Sequence, residues 1–155
     1  MLARIFLTPV ILIQICLLVG PSVLKAATVE GEWVPPGGDT LIHITVGNSA
    51  ELRIVRTLGA QIDSRNPDKA LRTRSLDGAL IGDGFAKKGA RWVGGQIYDP
   101  ASGKTYRGQF ELLDDNHLSL RGYVGLPVLG RSEIWTRRVL FESQIDALLG
   151  RGEGK

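Results

Sequence analysis

The sequence predicts an all-β fold: a single small antiparallel up-and-down barrel of about eight strands. One observation is the alternation of apolar and polar residues in short segments, which is typical of a sheet that covers a core with one face. It is clearest in two segments, whose shared faces carry Tyr106, Gly108, Phe110 and Leu112, and Leu118, Leu120, Gly122 and Val124. A second observation is that all but one of the 20 glycines follow residue 26 and lie scattered, which indicates many turns and bends.

Eight segments have the length and alternation of strands. They are residues 30–34, 41–46, 52–58, 79–85, 91–98, 104–113, 118–124 and 130–138. Between the fifth and sixth, Asp99, Pro100 and Gly103 suit a hairpin loop, because Asp can bond the backbone ahead, Pro presets φ and Gly tolerates positive φ. A Gly-Lys-Thr sequence begins at Gly103, but Tyr98 stands where a phosphate-binding loop needs a glycine. We therefore predict a turn here and no phosphate site.

Two short helices are expected beside the strands. In the connection after the third strand, Asn66, Pro67 and Asp68 have the order of an N-cap, N1 and N2, which predicts a short helix over roughly 67–72. A second short helix is predicted near the C-terminus at 143–149, closed by Gly150.

The N-terminal residues predict export. A basic start, an apolar run and small residues at 26–27 have the layout of a signal peptide over 1–26, which leaves a barrel domain over 27–155 in the periplasm or secreted. The alternative is an uncleaved anchor, but the apolar run of about 15 residues is shorter than a membrane span, so no span is expected after cleavage. Cys16, the only cysteine, lies in this run without the small residues of a lipidation site, so the mature chain has no disulfide.

Charge and composition argue against several functions. Arg4 and Lys25 leave with the predicted signal, so the remaining basic residues exceed the acidic ones by a single charge. No row of aromatic residues accompanies the arginines, so no nucleic-acid partner is expected. His43 and His117 are the only histidines and have no metal-ligand spacing, and no nucleophile motif is present. We therefore predict no metal, no cofactor and no enzymatic activity.

Four longer stretches carry a family resemblance. They are GEW at 31–33, DSRNPDKALRTRSLDGALIGDGF at 63–85, WVGGQIYDPASGKTYRG at 92–108 and LSLRGYVGLPVLGRSEIWTRR at 118–138. Together they resemble the bacterial exported domain-of-unknown-function family 2147, which implies a lipocalin-like, calycin-type barrel and no established activity. The resemblance also implies structural roles: Gly31 and Trp33 are similar to the lipocalin first-strand motif, and Arg137 or Arg138, after Trp135, would pack on Trp33.

The densest polar cluster lies in the segment 63–77. It contains Asp63, Asn66, Asp68, Arg72, Arg74 and Asp77, and Asp83 follows shortly after it. Paired acids can perform acid–base chemistry, but neighbouring arginines lower the pKa of acids, so we favour an ion-pair network that holds the connection. As the longest connection between strands, this segment is also a candidate lid over one mouth of the barrel.

The remaining ligand candidates are aromatic. They are Trp92, Tyr98, Tyr106 and Tyr123, and the alternation leaves open which of them face inward. Gly94 and Gly95 interrupt the fifth strand, which predicts either a sharp bend or the close approach of a ligand. The preferred function is the binding of a small, largely apolar ligand inside the barrel. The alternative is a structural or interaction protein of the cell envelope with a filled core.

Overall fold

The computed structural model describes residues 27–148, and the predicted signal peptide lies outside them. Eight antiparallel strands form a closed barrel in which each strand pairs with the next along the chain and the last pairs with the first. The strands are β1 Gly31–Val34, β2 Thr40–Val46, β3 Ala50–Thr57, β4 Leu80–Lys88, β5 Arg91–Asp99, β6 Lys104–Leu112, β7 His117–Tyr123 and β8 Arg131–Arg137. The predicted all-β, up-and-down barrel of about eight strands is confirmed.

The predicted helix after the third strand is wrong in extent and in its cap. Only a single 3-10 turn forms, at Lys69–Leu71, and the cap is Asp68, whose carboxylate accepts a hydrogen bond from the Ala70 N–H. Asn66 instead accepts from the Asp68 N–H and donates its side-chain amide to Asp63. These local side-chain bonds compete with helical ones, so the helix does not propagate.

A helix does form at the C-terminal end, as predicted, but it begins earlier. Helix α1 spans Arg138–Leu148 and follows β8 without a break, whereas the sequence predicted a start at Ser143. Its first residue, Arg138, is held by ion pairs to Glu32 of β1 and Glu142 of α1. The predicted terminator Gly150 lies outside the described residues. In the part of the chain that is described, no helix is long and apolar enough to cross a membrane.

Antiparallel pairing places the loops alternately at two ends of the barrel. The end that holds the β2–β3, β4–β5 and β6–β7 turns is called the closed end, because large side chains fill it. Its large, fully buried residues are Trp33, Ile44, Leu52, Phe85, Phe110 and Leu118. The rings of Phe85 and Phe110 meet edge to face with centroids 4.9 Å apart, and Trp92 stacks on Phe110 at 6.1 Å. Burial of these large rings supplies much of the hydrophobic stabilisation.

A tryptophan and an arginine close the barrel where β1 meets β8. Trp33 is fully buried, and its indole N–H donates to the Val29 carbonyl at 2.8 Å. The guanidinium carbon of Arg137 lies 4.2 Å from the Trp33 ring centroid, in cation–π geometry. Arg137 also donates to the carbonyls of Thr28 and Asp115. Of the two arginines considered, Arg137 is therefore the one that packs on Trp33.

The glycines of β5 mark a bulge filled by protein. Gly94 has a φ of +81°, which disfavours other residues, and the β5–β6 register shifts beside it, between Val93 and Gly95. A Cβ on Gly95 would lie 2.5 Å from the Phe85 ring. The close approach that the sequence indicated is thus made by Phe85 at a bend, and it needs no ligand.

Candidate ligand-binding cavity

The opposite end of the barrel, called the open end, contains a cavity. Here lie the 35–39 turn, the 58–79 connection, the β5–β6 hairpin loop and the β7–β8 loop. A cavity of about 950 Å³ extends from these loops into the barrel. Its apolar wall consists of Ile42, Ile54, Leu76, Ile81, Ile97, Leu120 and Trp135. The size and lining fit the range for sites that hold a small molecule.

Two glycines on the inner face behave differently. Gly108 is covered by the Ile97 side chain, which occupies the space above it. Gly122 lines the cavity, and a Cβ built on it would lie in ordinary contact, 3.7 Å from the Tyr106 Cβ. The interior is therefore empty at the level of Gly122, between β6 and β8.

Three of the four predicted aromatic candidates line the cavity. Tyr98, Tyr106 and Tyr123 belong to its wall. Trp92 does not, because it lies in the closed end against Phe110. The wall also includes Asp99, the last residue of β5, and the next two residues, Pro100 and Ala101, which lie in the β5–β6 hairpin loop.

That hairpin loop is built as its sequence indicates. Asp99 accepts hydrogen bonds from the Ala101 N–H and the Ser102 hydroxyl, and the Gly103 N–H donates to the Asp99 carbonyl. Gly103 has a φ of +69°. A Cβ on Gly103 would collide with the Arg65 backbone of the 58–79 connection, so the glycine also permits this contact.

The polar cluster of that connection is organised around one buried carboxylate. Asp63 is fully buried. Its Oδ2 accepts from the Asn66 amide at 2.7 Å and from Arg74 Nη2 at 2.8 Å, and its Oδ1 accepts from the Tyr98 hydroxyl. Arg72 donates to the Asn66 carbonyl at 2.8 Å. The cluster therefore binds the 58–79 connection to β5 through Tyr98, and it also links residues within the connection to one another.

Electrostatics follow from these contacts. Burial alone would raise the pKa of Asp63, but hydrogen bonds from Tyr98, Asn66 and Arg74 outweigh it and hold that pKa below its usual value. Burial, together with the hydrogen bond to the Asp63 carboxylate, raises the pKa of Tyr98 to about 12. At neutral pH Asp63 is therefore ionised and Tyr98 is protonated. The tyrosine can then donate its hydrogen bond to the carboxylate and hold the connection against β5.

The predicted lid residues lie beside the cavity rather than in its wall. Of the segment 63–77, only Leu76 lines the cavity, while Gln61 joins it from just before the segment. Asp63, Asn66, Asp68, Arg72 and Arg74 are absent from the lining. One ion pair forms among them, Arg74 with Asp63. These polar side chains hold the connection in place, and Leu76 is the residue of the segment that lines the cavity.

The β7–β8 loop forms an apolar part of the rim. Its exposed side chains are Val124, Leu126, Val128 and Leu129. The loop is held from the outer face of β7 by Arg121, which donates to the Pro127 and Val128 carbonyls and to the Ser132 hydroxyl. Val124 and Leu129 also line the cavity, so an apolar surface continues from the rim into the interior.

Two charged residues of the wall, Arg131 and Glu133, were missed by the sequence interpretation. Trp135 of β8 is buried in the interior, and its indole N–H donates to Glu133 at 3.2 Å. Arg131 is the next residue of the same alternation, and both charged side chains line the cavity. The signal was present, because side chains at every second position of a strand share a face.

Neither histidine lies in the cavity wall. Among the side chains of residues 27–145, no group of three or more His, Cys, Asp or Glu is placed to hold a metal ion. His117 bonds Asp114 in the β6–β7 turn at the closed end, away from the cavity. His43 pairs with Arg53 and Glu32 across neighbouring strands and is absent from the cavity lining.

The comparisons with known proteins agree with this architecture. Residues 31–137 match the model of a family described as uncharacterized protein conserved in bacteria (DUF2147). The chain belongs to this family. The DUF2147 match covers all eight strands and both sides of the cavity. No curated protein matches the chain.

One solved structure supports the barrel class of this DUF2147 protein. Protein HP1028 from the human pathogen Helicobacter pylori, described as belonging to the lipocalin family, superposes with a TM-score of 0.66. The two proteins share 19% sequence identity, and the match covers 72% of this chain and 83% of HP1028. At that identity the likeness shows a lipocalin-like fold and nothing about a ligand.

Proposed function

We propose that this protein binds a small, largely apolar ligand in the cavity at the open end of its barrel. The observation that carries the proposal is that side chains fill the closed end of the interior, whereas a cavity occupies the open end. Large rings pack the closed end, whereas about 950 Å³ remains open above Trp135, bounded mostly by aliphatic and tyrosine side chains. Barrels of eight strands are wide enough to hold one small ligand in this way.

Two other functions are less well supported. An envelope interaction protein with a filled core was the alternative from the sequence, but a cavity of about 950 Å³ lies at the open end. Catalysis would need a nucleophile or an acid–base pair in the cavity. The buried acid Asp63 is instead bonded by Tyr98, Asn66 and Arg74 and lies outside the cavity lining.

We also propose that the protein works outside the cytoplasm, in the periplasm or secreted. The support is the signal-like sequence of residues 1–26. An exported carrier would meet its ligand in the envelope or the medium.

The test is saturable binding of a neutral apolar dye, Nile red, to residues 27–155, with a variant that fills the cavity. Gly122→Phe places a ring in the empty level, and the free space around a Cβ at Gly122 lets the backbone stay in place. We expect the wild type to bind Nile red in a one-to-one complex and Gly122→Phe to lose most of that binding.

The matched control is Ile134→Phe, which adds a ring to the half-exposed outer face of β8. It should bind dye as the wild type does. Absence of saturable binding in the wild type, or equal binding by Gly122→Phe, would contradict the proposal. Native mass spectrometry of the protein purified from its own cells would then show whether any ligand is retained.

A further inference from the structure

The β7–β8 loop, residues 124–130, exposes a continuous apolar surface on the rim of the open end. Its sequence is Val-Gly-Leu-Pro-Val-Leu-Gly, without one polar side chain. Val124, Leu126, Val128 and Leu129 are from 64% to 76% exposed, so water covers most of four aliphatic side chains that lie close together along the chain. Contiguous exposed apolar side chains mark surfaces that contact a protein or a membrane. The loop is therefore a contact surface.

The backbone of this loop is hydrogen-bonded from within the protein. The carbonyls of Leu126 and Pro127 accept from N–H groups of the same loop, which form a 3-10 turn. Arg121 of β7 donates to the Pro127 carbonyl at 2.7 Å and to the Val128 carbonyl at 3.1 Å. Water would satisfy these carbonyls equally well, but hydrocarbon offers them no partner, and an unsatisfied backbone group is costly there. Internal bonding therefore prepares the loop for an apolar medium.

Basic side chains lie where the loop joins the barrel. Arg121 and Arg131 flank it on β7 and β8, and no Asp or Glu occurs from residue 116 to residue 132. An arginine beside an inserted apolar loop can keep its guanidinium among lipid head groups and bind their phosphates. The acids of the cavity wall, Asp39, Asp99 and Glu133, lie in other segments of the rim or further along β8. The β7–β8 loop is therefore the part of the open end that suits a bilayer.

The size and composition of the loop favour lipid over a protein partner. A stable protein interface buries about 800 Å² on each side, from about 20–30 residues, and its strongest contacts come from Trp, Tyr and Arg. The loop has only the residues 124–130, and all its side chains are aliphatic. An aliphatic segment that inserts at the boundary between head groups and acyl chains needs no partner of complementary shape.

We infer that the β7–β8 loop docks on a phospholipid bilayer, with Leu126 and Val128 among the acyl chains and the two flanking arginines at the level of the phosphates. This goes beyond the proposed function, because Leu126 and Val128 lie outside the cavity wall. Val124 and Leu129 do line the cavity, so docking would place the mouth of the barrel against the bilayer.

The first experiment measures co-sedimentation of residues 27–155 with vesicles of phosphatidylcholine and phosphatidylglycerol. Leu126→Asn combined with Val128→Asn should weaken vesicle binding at least about tenfold, because two aliphatic side chains leave the acyl region. Without vesicles, the same variant should bind Nile red as the wild type does, since the cavity wall is unchanged. Failure of docking and failure of ligand binding are thus separate results.

The matched control is Leu113→Asn combined with Val139→Asn. It removes one leucine and one valine of similar exposure from the β6–β7 turn and from α1. This variant should bind vesicles as the wild type does.

The second experiment shows which end of the barrel meets the lipid. Because Cys16 is the only cysteine, residues 27–155 have none, and one introduced cysteine carries an environment-sensitive dye at a single site. On addition of vesicles, a dye at Val128→Cys should shift to the blue and be quenched by spin labels on the acyl chains. A dye at Asn48→Cys, in the exposed β2–β3 turn of the closed end, should show neither change.

Four outcomes would overturn docking on a bilayer. They are a wild type that stays in the supernatant, a loop variant that binds vesicles as tightly as the wild type, a control variant that loses as much binding, and equal blue shifts at both labels. A wild type that forms a dimer and binds no vesicles, with the loop variant monomeric, would show that a second copy of the chain covers the loop instead.

Discussion

The hydroxyl of Tyr98 is expected to carry a measurable part of the stability, because one oxygen of a buried carboxylate depends on it. Asp63 Oδ2 accepts from Asn66 and Arg74, but Oδ1 has Tyr98 as its partner. Tyr98→Phe removes that donor and leaves Oδ1 without a protein partner in a fully buried side chain. A hydrogen bond to a charged group contributes roughly 1.5–3 kcal/mol, so we expect a loss of about 2 kcal/mol in the free energy of unfolding.

The dependence on pH has a definite sign. The pKa of Asp63 is lowered in the folded protein, so its stabilising contribution is present at neutral pH and is lost as the pH falls through the folded pKa. In Tyr98→Phe one lowering hydrogen bond is missing while burial remains, so acid destabilisation should begin at a higher pH. The wild type should also lose stability as the pH rises from 10.0, the ordinary pKa of Tyr98, to about 12, and the variant should lack this loss.

Urea unfolding from acid to alkaline pH, followed by tryptophan fluorescence, measures both effects. The control is Tyr106→Phe, which removes a hydroxyl that makes no hydrogen bond to the described residues and should cost under about 0.5 kcal/mol. If Tyr98→Phe cost no more than this control and shifted neither limb of the pH profile, the anchoring role of Asp63 would be refuted.

Three further predictions concern other parts of the chain. Trp33→Ala should lower the free energy of unfolding by roughly 3–5 kcal/mol in urea titrations, and near-wild-type stability would mean that the ring is peripheral. Gly95→Ala should cost about 1–3 kcal/mol by the same assay, because its Cβ would lie 2.5 Å from the Phe85 ring; a neutral result would show that the bulge can relax. The exported protein should begin at Ala27, and an intact mass that still includes residues 1–26 would contradict cleavage.

The barrel itself was predictable from local patterns. Alternation in β6 and β7 reports which side chains face the core as far as Gly122, but beyond it Tyr123 is buried and Val124 is exposed, the reverse of the pattern. Asp99, Pro100 and Gly103 specify a hairpin through their own backbone preferences. Both kinds of signal act over a few residues, so a single sequence contains them. The C-terminal helix was found for the same reason, although its start at Arg138 depends on a contact with Glu32 in the first strand.

The site was harder to predict from the sequence, because it depends on contacts between segments that are distant along the chain. No pattern in the neighbouring sequence shows that the Asp63 carboxylate lies against Tyr98 in β5. The helix predicted beside Asp63 forms only as a 3-10 turn, because side chains of this network bond the backbone there. Arg131 and Glu133 could have been found by extending the alternation of β8 from Trp135.

The junction between β1 and β8 has a consequence for the way in which the chain folds. Trp33 and Val34 pair with Arg137 and Thr136, so the barrel is closed by strands from opposite ends of the domain. Pairings of such high sequence separation form slowly, and this one has to wait until nearly the whole chain is available. Until then both outer strands present unpaired edges to other molecules. Aggregation should therefore compete with folding at this late step. The rate at which β8, with Arg137, pairs with β1 at Trp33 sets how long the two strand edges stay unpaired.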